Sequence, residues 1–288
     1  MGGFRDEAAK ERYFAAHDAA WAACPAPDAT LDIDTRYGTT RVYRYGPENA
    51  PPMVLLHGMT TTSAGWWQSL ATFATHHRVY AVDTLGEPGP GVQTTPIQDT
   101  ATRAMWLDEV LVQLDLTDVH LVGASTGGWH AINQAIHRPD RLASVILIDP
   151  TTVSVNFSLG VILRAIVAVV VNRDAQWCRF IGWTVGDMAL TDRPDVRLVL
   201  AGIREYKSRL VPQTRPKDAD LRSVTLPLLA LFGEHSRAHD ATRAAERARK
   251  LFPHGEVALI PKWGHVVSQT HLDHIHHRML DFIKRHTR

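Results

Sequence analysis

The sequence predicts an α/β fold with a mostly parallel sheet and helices on both faces, and two observations carry that expectation. From Met53 onward, apolar strand-like runs alternate with helix-compatible stretches, the pattern of strands joined by crossover helices. The run Val119-His120-Leu121-Val122-Gly123-Ala124-Ser125-Thr126-Gly127-Gly128 passes from an apolar strand through a Gly-x-Ser-x-Gly turn into a helix. In such a sheet the ligand site is expected at the carboxyl ends of the strands.

The elements follow in order along the chain. Residues 5–23 carry Tyr13, Phe14 and Trp21 at helical spacing among charges and stop at Pro25-Ala26-Pro27, which predicts an N-terminal helix docked on the core. Residues 30–35 and 40–45 alternate with period two around Tyr37-Gly38, an antiparallel hairpin. Met53-Val54-Leu55-Leu56, residues 78–82, 119–124, 145–148, 227–232 and 256–260 read as buried strands. Between Pro150 and Pro227 some seventy residues pass without a core strand, too long for a structureless loop, so a helical cap is expected there. The expected division is residues 1–150 and 223–288 for the core, with 1–28 as the docked N-terminal segment, and 151–222 for the cap. The cap's most apolar run, residues 160–171, is too short to span a bilayer and carries Arg164.

Composition narrows the function. The chain has 288 residues and a formal net charge of +1, with acids and bases interspersed, so neither a nucleic-acid nor a membrane partner is expected. Cys24 and Cys178 lie far apart without metal-type spacing, and the N-terminus is charged and lacks an apolar signal core, so the cytoplasm is the expected compartment. His271, His274, His276 and His277 fall at spacings that can share a helix face, but beside Asp273 alone they read as an exposed histidine-bearing helix. No metal or cofactor is expected.

The motifs agree with one another in order. His57-Gly58-Met59-Thr60 follows the strand at 53–56. Arg78 to Gly86 runs strand, then Asp83-x-x-Gly86. Gly233-Glu234 ends the strand at 227–232, and Trp263-Gly264-His265 follows the last strand. On these residues the chain, from about residue 29 to its C-terminus, resembles the α/β-hydrolase family, in its single-domain serine esterase type with a helical cap. The resemblance implies an eight-stranded, mostly parallel sheet and a catalytic order Ser, acid, His. It implies Ser125 as nucleophile, His265 as general base and then acid, and the backbone amides of Met59 and Thr126 as oxyanion donors.

The acid departs from the family pattern, which commonly reads Gly-x-x-Asp where this chain has Gly233-Glu234-His235-Ser236. A serine cannot stabilise an imidazolium as a carboxylate does. Asp240, four residues further on, is the favoured acid; Asp149, after the preceding strand, is the alternative, followed by Glu234. His57, Asp83 and Gly86 read as structural, and residues 87–91 as a turn-rich surface loop. Trp66, Ile162 and Ile166 are the candidate substrate-binding side chains.

The implied activity is hydrolysis of a small-to-medium, apolar carboxylic ester through an acyl-enzyme. A dedicated thioesterase, acyltransferase, cyclase or lactonase is the enzymatic alternative, and a ligand-sensing member of the fold is the non-enzymatic one. The expected partner is a small ester or acyl substrate, and the oligomeric state is left open.

Overall fold

The computed structural model describes residues 1–186, 193–267 and 269–287. After a short strand β1 (Gly3–Phe4), helix α1 (Glu7–Trp21) is capped by Asp6, whose carboxylate accepts the Ala9 N–H at 2.7 Å. β2 (Ala29–Thr35) and β3 (Gly38–Tyr45) form the antiparallel hairpin, and β4 (Pro52–Leu56), α2 (Trp67–Ala74) and β5 (Arg78–Val82) begin the crossover pattern. The core continues through β6 (Val92–Gln93), α3 (Thr100–Gln113), β7 (Val119–Ala124), α4 (Thr126–His137) and β8 (Leu142–Ile148).

Three helices then leave the sheet: α5 (Leu159–Val171), α6 (Asp174–Val185) and α7 (Pro194–Glu205). Residues 187–192 of the expected cap lie outside the described residues. β9 (Tyr206–Lys207) and α8 (Asp218–Arg222) lead back to β10 (Leu228–Gly233), α9 (Ala241–Leu251), β11 (Glu256–Ile260) and α10 (Gln269–His286). α8 falls within the stretch expected as cap but packs against α4 and α9 of the core.

The main sheet has the order β2-β3-β5-β4-β7-β8-β10-β11, with β6 pairing onto β3. From β5 to β11 neighbouring strands along it are parallel; the pairs made by β3 with β2, β5 and β6 are antiparallel. Because helices cover both faces, the central strands read as unbroken apolar runs. Val54 and Leu56 of β4 pack on one face with Trp106, Leu121 and Trp129, while Met53 and Leu55 pack on the other with Phe73, Met279 and Phe282.

The turn between β7 and α4 is built on contacts that exclude side chains. A Cβ on Gly123 would lie 2.1 Å from the Gly127 carbonyl oxygen, and one on Gly127 would lie 2.1 Å from that of Leu56. Ser125, between them, takes φ 53 and ψ −115, a strained backbone that lifts its side chain off the end of the sheet.

The N-terminal helix does not dock on the core alone. It lies along α7, where Arg12 makes two hydrogen bonds to Glu205 at 3.0 and 2.7 Å, and β1 pairs with β9. Core contacts come from Tyr13, whose hydroxyl donates to the Pro88 carbonyl at 2.9 Å, and from Trp21, stacked on Tyr43 with centroids 4.0 Å apart. α1 therefore straps the inserted layer to the sheet. The sequence pattern located the helix, but its partner is an element nearly two hundred residues away.

Gly127→Ala must push backbone apart, so it is expected to cost about 3 kcal/mol or more, read from the urea midpoint. An unchanged midpoint would mean that the elbow is not tightly packed.

Candidate active site

Three side chains from three different strand ends meet beyond the sheet. Ser125 leaves the end of β7, Asp149 follows β8, and His265 follows β11. His265 Nε2 stands 3.0 Å from Ser125 Oγ, and its Nδ1 stands 2.5 Å from Asp149 Oδ2. An ionised carboxylate only accepts, so Nδ1 carries the proton, and Nε2 is left to accept from the serine hydroxyl.

Asp149 is fully buried, and burial alone would push its carboxyl upward. The His265 hydrogen bond and the nearby His239 and His265 rings outweigh that cost and hold it well below the usual carboxylate range. Gly233 N–H donates to Oδ1 at 3.1 Å, Ser236 Oγ–H donates to Oδ2 at 2.6 Å, and His239 Nε2 lies 3.4 Å from Oδ1.

Asp240, the acid favoured from sequence, is not beside His265. It is exposed and caps α9, accepting the Arg243 N–H at 3.0 Å. α9 begins at the residue after Asp240, which commits Asp240 to the helix cap, whereas β8 pairs directly with β10 and brings Asp149 to the site. Glu234 is also turned away, accepting the Lys262 N–H at 3.0 Å. Ser236, which stands where the family pattern has an acid, supports Asp149 by a hydrogen bond.

The loop after β4 faces Ser125. His57 Nε2 accepts the Thr84 N–H at 2.9 Å, so its Nδ1–H donates to the Gly58 carbonyl at 2.7 Å and the ring is a structural tie. Among the described residues the Met59 amide enters no backbone hydrogen bond of this loop. Thr126 is the first residue of α4, so its N–H is one that a helix leaves without an internal acceptor. Both residues line the same cavity as Ser125 and His265.

The loop is held from behind by Glu87, whose carboxylate accepts the Thr60 N–H at 2.5 Å and whose burial pushes its carboxyl up. Residues 87–89 are buried, not a surface loop: α1 reaches Pro88 through Tyr13, and α7 lies close enough that a Cβ on Gly202 would sit 2.9 Å from both Pro88 Cγ and the Thr60 carbonyl oxygen. The turn residues hid this because the covering elements, α1 and α7, come from distant parts of the chain on either side of it. Asp83 is structural as well, accepting the Ser63 N–H at 2.7 Å.

The cavity above Ser125 measures about 830 Å³ and runs between the sheet and α5–α7. Trp66, Ile162 and Ile166, the candidate substrate-binding residues, all line it, with Phe157, Val199 and Met279 extending its apolar wall. At its side His276 meets Ser69 Oγ at 2.8 Å, and burial lowers its imidazole below the ordinary value. The rest of that histidine cluster is dispersed: His271 faces the Pro261 carbonyl, and His277 pairs with Asp281. Among the described residues no group of three or more histidine, cysteine or carboxylate side chains is placed to hold a metal ion.

Comparison with known proteins gives the family. The sequence model of the alpha/beta hydrolase family matches residues 53–273. The carboxylesterase YbfK of Bacillus subtilis is 28% identical over 279 residues, covering 94% of this chain and 93% of the relative; the uncharacterized carboxylesterase nap of the same organism is 28% identical over 283 residues, covering 96% and 93%. Among solved structures, carboxylesterase CesB (YbfK) superposes with a TM-score of 0.87 at 27% identity over 96% of this chain and 98% of its own. Naproxen esterase, also from Bacillus subtilis, superposes with 0.87 at 28% identity, covering 95% and 97%.

The depressed Asp149 carboxyl has a consequence for stability. An unfolded aspartate titrates near 3.9, so the contribution is complete above about pH 5 and is lost as the pH falls through the lower folded value. Asp149→Asn is expected to cost more stability at pH 7 than at pH 3, read from urea midpoints. An equal loss at both would contradict a stabilised charge.

Proposed function

From the chain's membership of the alpha/beta hydrolase family, we propose a serine carboxylesterase in which Ser125, His265 and Asp149 form the catalytic triad. The observation that carries this is the continuous chain from Ser125 Oγ through the His265 ring to Asp149, set beneath an apolar cavity. His265 Nε2 takes the hydroxyl proton as Ser125 Oγ attacks the ester carbonyl, and Asp149 balances the imidazolium that forms. The amides of Met59 and Thr126 receive the oxyanion, where loss of one donor is worth about 2.7–4 kcal/mol. His265 returns the proton to the departing alkoxide, leaving an acyl-enzyme; water, deprotonated by the same nitrogen, then releases the acid.

The substrate class follows from the walls. A cavity of about 830 Å³ accepts an ester of drug-like size, and the side chains of Trp66, Ile162 and Ile166 favour apolar groups, while the lining Arg193 and Asp195 pair with each other. The two curated relatives are carboxylesterases over nearly their whole length, which supports an ester over a thioester or lactone.

The test is kcat/KM for p-nitrophenyl esters from acetate to decanoate. Turnover should vanish with Ser125→Ala and fall about ten-thousand-fold with Asp149→Asn. Asp240→Asn should stay within a few-fold of wild type while losing at most about 1 kcal/mol of stability at its helix cap. No turnover of any ester above the Ser125→Ala background would overturn the esterase reading in favour of a specialised acyl enzyme or a sensor.

A further inference from the structure

Helix α5 is apolar nearly all round, with Arg164 its one charge, yet is not buried. Among its thirteen residues only Ala168 is buried, while Leu159 is 69% exposed and Val170 77%. Leu159, Leu163 and Val167 recur at intervals of four and so share one face of the helix, and they do not line the cavity. Ile162, Ile166 and Val170 do line it and are exposed as well. The apolar surface therefore runs without interruption from the outside of α5 to the chamber above Ser125. A soluble chain rarely leaves such a surface bare, since each side chain forgoes the gain of burial.

The charges around the helix indicate what covers it. Arg164, near the middle of α5, lies over the Trp183 ring at 4.1 Å; Arg173 follows the helix end, and Arg179 stands exposed on α6. Among the described residues none of the three pairs with a carboxylate. Asp174, beside them, is already held by Arg204 at 2.8 Å. An apolar helix edged by cations matches an anionic lipid surface, with acyl chains meeting the valines and leucines and headgroups meeting the arginines. A second copy of the chain fits less well. A helix of thirteen residues is about 20 Å long, short of the roughly 800 Å² per partner that a stable dimer needs, and a two-fold pairing would bring like charges together.

We propose that the outer face of α5 docks on an anionic lipid–water interface and opens the cavity directly onto it. The whole-chain charge of +1 conceals this cationic edge because it averages over the molecule. That the docked ester passes to Ser125 rests on the esterase reading; docking itself does not.

The experiment is flotation of the full chain with vesicles of phosphatidylcholine containing about a third phosphatidylglycerol, against vesicles of phosphatidylcholine alone, at low salt. The chain is expected to float with the mixed vesicles and to do so at least about tenfold less with phosphatidylcholine alone. The double variant Leu163→Gln, Val167→Gln should lose flotation while keeping wild-type turnover of p-nitrophenyl acetate, because neither residue lines the cavity. Arg173→Gln with Arg179→Gln should float less and lose the preference for phosphatidylglycerol. Absence of flotation with either vesicle, or flotation undiminished in the Leu163, Val167 variant, overturns the proposal. So does a concentration-dependent dimer that the same variant abolishes, which would assign the face to a second copy. Binding needs no turnover, so failure here leaves the esterase reading standing, and an inactive chain that still floats leaves the docking standing.

Discussion

The buried Asp149 carboxylate ties together three strand ends: its own at β8, Gly233 at the end of β10 with Ser236 and His239 beyond it, and His265 after β11. A lone charge at that depth would be expensive, and the surrounding donors are what allow it to remain ionised. The same donors fix its direction. Gly233 and His239 face one oxygen, Ser236 and His265 the other, so the imidazole is held in the tautomer that leaves Nε2 open toward Ser125. The stability of this corner and the chemistry of the serine therefore depend on the same hydrogen bonds.

The opposite wall is held by a different device. The loop carrying Met59 is clamped between the buried Glu87 carboxylate and helix α7, and α7 is itself fastened by α1 through Arg12 and Glu205. A segment that begins the chain thus acts on the position of the inserted helices and, through Thr60, on the loop expected to receive the oxyanion. Preorganisation of that kind is useful because donors already in place need not reorient as charge develops on the carbonyl oxygen. Among the described residues the exposed apolar side of α5 has no such partner, which sets it apart from α7 within one inserted layer.

Much of this was legible in the sequence because it is local. Strand runs with both faces buried, the glycine-flanked turn at Ser125 and the Gly-His after the last strand are patterns that short-range sterics impose. Asp149 against Asp240 was not legible, because the choice turns on which strand lies beside which: β8 next to β10 brings Asp149 inward, while the distance along the chain favoured Asp240. Ser236 held a usable signal, since a hydroxyl where an acid is expected can support a carboxylate supplied from elsewhere. Glu87 held little, as the elements that cover its turn, α1 and α7, are each more than sixty residues away in the chain.

In the proposed triad Ser125 is a nucleophile activated by His265 with Asp149 behind it. Diethyl p-nitrophenyl phosphate tests it most directly, because the reagent phosphorylates an activated serine irreversibly and the adduct can be located by peptide mass spectrometry. One adduct per chain is expected, on Ser125, forming far more slowly in Asp149→Asn and at nearly the wild-type rate in Asp240→Asn. An adduct on another residue, or labelling slowed by Asp240→Asn and untouched by Asp149→Asn, would contradict it.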